Sequence, residues 1–231
     1  MPEDPAHGQL PLALALQDHA VFETFRAPGD GALVAAARDP AAPGLWIAGP
    51  PGSGKSHLLQ AVCAHRPETR RAYVPLGSAP APAMLEGMEA LDLVCLDDFQ
   101  QVAGDDDWER ALFVLVNGLS LAGGRLVAAA TGAPADIGIR LPDLLSRCQA
   151  LTRFRLRYLD DEERLEALRA RAAFRGFDLP ADTARYLLRR VPRDMGRLMA
   201  LLDRLDTASL AASRRLTIPF VREVLGEVRE A

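Results

Sequence analysis

The sequence predicts an α/β fold in which a five-stranded parallel sheet surrounds a phosphate-binding loop, followed by a small all-helical domain. Three observations predict it. Between residues 45 and 156 short apolar runs alternate with longer amphipathic stretches, the pattern of strands joined by crossover helices. The segment Gly49-Pro-Pro-Gly-Ser-Gly-Lys-Ser56 follows the first apolar run and opens a helical stretch. After Arg157 the strand signals stop while helical periodicity continues to the C terminus.

Taken in order, residues 1–20 read as an extended tail, because Pro2, Pro5 and Pro11 interrupt any helix. Residues 21–156 form the expected nucleotide-binding base, with strands at 45–48, 72–76, 93–96, 126–130 and 150–156. Each is short and bounded by polar or turn residues. The intervening helices fall at 55–63, 83–90, 107–121 and 142–147, and right-handed crossovers place them on both faces of the sheet. Residues 157–231 form the helical lid, with helices at 160–174, 179–190, 195–210 and 218–228. In the first, acidic residues near the start and arginines toward the end complement the helix dipole.

The 231 residues carry a formal charge of −4, and the basic side chains form no dense block, so strong autonomous DNA binding is disfavoured. Any DNA contact is expected to be weak or indirect, through Arg185, Arg189 and Arg190 at helical spacing. Cys63, Cys95 and Cys148 are far apart and flanked by apolar residues, which suits reduced thiols and not disulfides. A signal-peptide pattern and a bilayer-length apolar run are both absent. The expectation is a soluble, cytoplasmic protein with no membrane contact. Every cationic side chain other than histidine is arginine except Lys55, which falls inside the phosphate motif.

That motif matches G-x-x-x-x-G-K-[ST] in its required strand–loop–helix context. Gly49, Pro50, Pro51, Gly52, Ser53, Gly54, Lys55, Ser56 and the adjoining His57 are the candidate nucleotide-binding residues. Glycines let backbone N–H groups curve around phosphates, and the helix N terminus adds unpaired donors. Lys55 is expected to neutralise the β and γ phosphates, and Ser56 to bind Mg²⁺. Leu93-Val-Cys-Leu-Asp97-Asp98 is an apolar strand ending in two carboxylates. Strand alternation directs them apart, Asp97 toward the Mg²⁺ shell and Asp98 toward an attacking water. Thr131, ending a third apolar strand, is placed to report on the γ-phosphate or the water.

Gly54-Lys-Ser-His-Leu-Leu-Gln-Ala61 resembles the phosphate loop of the DnaA-related AAA+ family, as does the Asp97-Asp98 pair, and Phe22-Glu-Thr-Phe25 looks like the family's adenine-side motif. Arg215-Leu-Thr-Ile-Pro-Phe-Val-Arg-Glu-Val-Leu225 is similar to the end of the Hda group, the regulatory inactivators of DnaA. Gln9-Leu10-Pro11-Leu12-Ala13-Leu14 resembles the peptide by which that group grips the DNA polymerase sliding clamp. The initiator's helix-turn-helix and N-terminal domains have no counterpart in the sequence. By the same resemblance Arg147 sits where the family has its arginine finger, and Arg193 where it has the lid arginine that reaches the chain's own nucleotide. Two residues depart from the pattern: Lys55 stands where some Hda proteins have arginine, and Ala133 where the family often has aspartate.

The resemblance implies a clamp-tethered adapter holding ADP or ATP with Mg²⁺. It would stimulate ATP hydrolysis by the initiator DnaA through Arg147 in trans, and so restrain replication initiation. Self-association through AAA+ interfaces is expected, and turnover by the chain itself is expected to be slow. The alternative is an autonomous AAA+ ATPase of the helicase-loader type. A small-molecule kinase ranks below both, since no acceptor pocket or mobile lid for one is identifiable.

Overall fold

The computed structural model describes residues 20–26, 31–191 and 195–227. Strands β1 (Leu45–Ala48), β2 (Arg71–Pro75), β3 (Leu93–Asp97), β4 (Arg125–Ala130) and β5 (Thr152–Arg155) form one sheet. Every pairing is parallel, in the order β2-β3-β4-β1-β5. Alternate residues of the central strands feed two separate apolar layers, as a period of two requires. Trp46, Val94, Leu96, Leu126 and Ala128 face one layer. Leu45, Ile47, Cys95, Val127 and Ala129 face the other.

Helices cover both layers. Helix α1 (Gly31–Arg38) and α2 (Lys55–His65) pack on the second layer through Leu33, Ala37, Leu58, Leu59 and Val62. Helix α3 (Asp106–Ala122) packs on the first through Leu112, Leu115 and Leu119, and α4 (Pro142–Gln149) through Leu144 and Cys148. Asp105 caps α3 by accepting from the N–H groups of Asp107 and Trp108, both at 3.0 Å. Gly123 closes its C terminus in the left-handed region at φ 75°.

Three sequence expectations require correction. Helix α1 went unseen, because eight residues give barely two turns and too little periodicity to register. The expected helix at 83–90 is two 3₁₀ turns, Pro82–Leu85 and Met88–Ala90, with Gly87 between them at φ 81° interrupting right-handed helical twist. Ala150 caps the end of α4 instead of beginning a strand, so β5 is shorter than its apolar run suggests.

Beyond β5 the chain is helical: α5 (Asp161–Phe174), α6 (Ala181–Arg190), α7 (Met195–Ala212) and α8 (Ile218–Glu227). Asp160 and Glu163 form a reciprocal capping box at the start of α5. Leu168, Leu187, Leu202, Leu205 and Val221 build an apolar core for these helices that shares no buried residue with the two layers of the sheet. Among the described residues no helix is long and apolar enough to cross a membrane.

Candidate nucleotide-binding site

The carboxyl ends of β3, β4 and β1 lie side by side in the sheet. The acid pair, Thr131 and the phosphate loop leave the sheet at that edge, where open α/β sheets place their ligands. At Gly49 a Cβ would stand 2.7 Å from Ser53 Oγ and 3.0 Å from Leu156 O, so only glycine lets the chain turn there. Gly52 and Gly54 adopt φ of 76° and 93°, which curls the loop ahead of α2. Ser53 Oγ is buried and has no hydrogen-bond partner among the described residues. Lys55 is buried, and its Nζ donates to Gly49 O and Pro50 O, each at 2.9 Å. Burial pulls its ammonium below the usual lysine range, while Asp97 and Asp98 push the other way. A phosphate would compete with two carbonyls for this cation, a strong exchange because charge-assisted bonds exceed neutral ones.

Asp97 ends β3 and is buried. Tyr73 on β2 donates its hydroxyl to Asp97 Oδ2 at 2.8 Å, and the Asp98 N–H donates to Oδ1 at 3.0 Å. Burial raises its carboxyl above the ordinary aspartate range, and the hydroxyls of Ser56 and Tyr73 restrain that rise. Ser56 and Asp97 are the two oxygen donors expected of a Mg²⁺ site, and a hard set of hydroxyl and carboxylate oxygens fits that ion. Asp98 diverges from Asp97, though not by strand alternation. It sits in the left-handed region at φ 56° and ψ 44°, having left the strand, a conformation costly for a residue with a Cβ.

Gln100 explains how that conformation is held. Its Nε2 donates to Asp98 Oδ1 at 3.0 Å, and its Oε1 accepts from the Thr131 N–H at 3.1 Å. The amide therefore ties the second acid to the end of β4. Thr131 enters the network through its backbone, with an exposed side chain. Sequence reasoning missed Gln100 and Tyr73; the adjacency of a glutamine to paired acids was the available signal for the first.

His57 points to the segment ahead of α1. Its Nε2 lies 3.1 Å from Val21 O and 3.2 Å from Thr24 Oγ1, and its ring tilts against Phe25 at 5.7 Å. Burial depresses its pKa below the usual histidine value, and the bond to Val21 opposes the shift. It thus fastens the Val21–Phe25 turn to α2.

Arg147 is exposed on α4 and donates to Asn117 Oδ1 on α3 at 2.8 Å. The loop entering α4 is held by Glu109, a buried acid of α3 whose carboxylate accepts from the N–H groups of Gly104, Arg140 and Leu141 at 2.6 to 3.1 Å. Arg193 and the peptide Gln9–Leu14 lie outside the described residues.

A family model described as the Hda lid domain matches residues 161–225, the span of α5 to α8. The fold is similar to that of domain III of the replication initiation protein DnaA from Thermotoga maritima, with TM-score 0.74, 22% identity, and coverage of 91% of this chain and 97% of that one. The chain thus carries a segment that matches the Hda lid model, on a fold similar to that of DnaA domain III. The fold is also similar to that of AMPPCP-bound DnaA from Aquifex aeolicus, at TM-score 0.66 and 22% identity over 82% of this chain and 66% of that one. The RuvB Holliday junction branch migration motor of Thermotoga maritima gives TM-score 0.60 at 16% identity, covering 80% of this chain and 61% of that one. A model described as RNA helicase matches residues 45–120, the segment that holds the phosphate loop and the acid pair.

Proposed function

We propose that this chain is a negative regulator of chromosomal replication initiation, a nucleotide-bound adapter that stimulates ATP hydrolysis by DnaA. The observation that carries the reading is the match of residues 161–225 to the Hda lid model, on a chain whose fold is similar to that of DnaA domain III. ADP or ATP is held by residues 49–57, with Mg²⁺ on Ser56 and Asp97. The metal, when bound, neutralises phosphate charge. Lys55 supplies the cation of the loop, Asp98 orients water, and the Gln100 amide fixes the direction of that carboxylate. Arg193 reaches from the lid domain, residues 157–231, to the nucleotide held by the base domain, residues 21–156. Arg147 acts in trans. Its exposure on α4 supports this role, because a guanidinium at the surface is available to a neighbouring subunit's phosphates, where an arginine finger stabilises developing charge. Gln9, Leu10, Pro11, Leu12, Ala13 and Leu14, within the tail of residues 1–20, dock on the sliding clamp of DNA polymerase as an extended peptide. The protein works in the cytoplasm, self-associates through AAA+ interfaces, and contacts DNA weakly or through its partners.

The test is hydrolysis of DnaA-bound ATP in the presence of clamp-loaded DNA. Addition of the chain accelerates it, and Arg147→Ala abolishes the acceleration while nucleotide binding by the variant is retained. Undiminished stimulation by Arg147→Ala would remove the finger; loss of clamp binding in Gln9→Ala/Leu12→Ala tests the tether separately. The complete phosphate loop with Lys55 favours a second reading, an autonomous AAA+ ATPase of the helicase-loader type. Rapid turnover without DnaA, abolished by Lys55→Ala, would select it.

A further inference from the structure

We infer that the outer face of the lid, where α6 meets α8, docks on the phosphodiester backbone of duplex nucleic acid. Four exposed arginines lie on these two helices: Arg185, Arg189 and Arg190 on α6, and Arg222 on α8. Helix α6 buries Thr183, Ala184 and Leu187, which leaves Arg185 and Arg189, one turn apart, on the opposite side. The guanidinium carbons of Arg190 and Arg222 stand 5.2 and 5.5 Å from the centroid of the Tyr186 ring. Cations from two helices thus converge on one aromatic anchor, itself packed on the lid core. In a chain of net charge −4 this convergence does not follow from overall basicity.

Among the described residues none of the four arginines forms an ion pair. Of the acids on these helices whose side chains are described, Asp182 Oδ1 accepts from the Thr183 N–H at 2.8 Å and Glu223 pairs with Arg214 at 2.8 Å. The Tyr186 ring therefore holds two exposed cations, Arg190 and Arg222, that make no ion pair among the described residues.

Chemistry narrows the partner. Among the described residues the exposed large apolar side chains are Val114, Leu121, Tyr158, Phe174 and Leu210, none of them on α6 or α8. A hydrophobic protein interface or a membrane surface needs such residues beside the cations. Guanidinium forks match phosphate oxygens. With two guanidiniums over its ring, Tyr186 anchors cations and does not serve as a platform for unpaired bases, which favours backbone contact with a duplex.

The test is fluorescence anisotropy of a labelled DNA duplex with the full chain. Four phosphate contacts give a log–log salt slope near −0.9 per contact, so affinity falls about 150-fold between about 50 and 200 mM salt. Arg185→Ala/Arg189→Ala and Arg190→Ala/Arg222→Ala each reduce that fall to about 12-fold. Arg185→Lys/Arg189→Lys, which keeps the charge, retains the wild-type slope, as does Arg110→Ala on α3. Circular dichroism confirms folding of each variant. Absence of duplex binding by the wild-type chain at the lower salt overturns the proposal. Unchanged slopes in both alanine pairs, or equal affinity for polyglutamate, also overturn it, the latter by showing a generic polyanion surface. Tighter binding of a single strand than of the duplex overturns the choice of partner.

Discussion

Lys55 is held by two carbonyls and, among the described residues, no carboxylate contacts its ammonium, so the folded chain bears part of the cost of taking a cation out of water. Its depressed pKa expresses that cost. Lys55→Met is expected to leave the melting temperature of the nucleotide-free protein unchanged or higher, while ATP binding weakens about 10- to 100-fold through loss of charge-assisted bonds. Scanning fluorimetry and calorimetry check the two halves, and a lower melting temperature would contradict the electrostatic account. His57 sets a pH dependence. Burial holds its folded pKa below the 6.5 of the unfolded chain, so the unfolded state takes up protons first as pH falls. Its contribution to stability is complete above 6.5 and is lost progressively as pH drops below that value toward the folded pKa. Asp97 works in the opposite sense, because its folded pKa is raised from 3.8. Comparing wild type with His57→Asn by urea denaturation across this range isolates the histidine, and the variant is expected to lose less stability on acidification.

At the scale of elements, the hydrogen bonds that position α4 come from α3 through Glu109. Removing this carboxylate leaves the partly buried N–H groups of Gly104, Arg140 and Leu141 without their partner. At about 1–3 kcal/mol for an unsatisfied group, Glu109→Ala is expected to cost about 3 kcal/mol or more. Chemical denaturation measures it, and a cost near zero would mean that water replaces the carboxylate. Asp160→Ala dissolves the capping box of α5 and is expected to cost about 1 kcal/mol, read as a lower melting temperature with nucleotide affinity unchanged. Helix α3 was legible in the sequence because Asp105, a long amphipathic repeat and Gly123 all agree on its limits. The 83–90 segment was not, since a glycine in the left-handed region converts the same apolar spacing into two turns.

For the whole molecule, the lid helices and the sheet have separate buried cores, and both tryptophans, Trp46 and Trp108, lie in or against the first layer of the sheet. Leu202→Ala, which opens a cavity in the lid at a cost of about 2–5 kcal/mol, is therefore expected to shift unfolding followed by circular dichroism while the tryptophan transition stays in place. Coincident shifts in both signals would show one cooperative unit. The phosphate loop, the acid pair and the helical lid were readable from the sequence alone, because each is encoded in contiguous residues, a motif or a period that secondary structure turns directly into geometry. What the tertiary structure decided was which side chains meet: Gln100 with Thr131 across 31 positions, Arg147 with Asn117 across 30, and His57 with Val21 across 36. It also decided that Arg190 and Arg222 share the ring of Tyr186. Such pairs leave no local period in a sequence, since their proximity is created by strand order and helix packing, and hydrogen bonding selects partners only after the chain has brought them together.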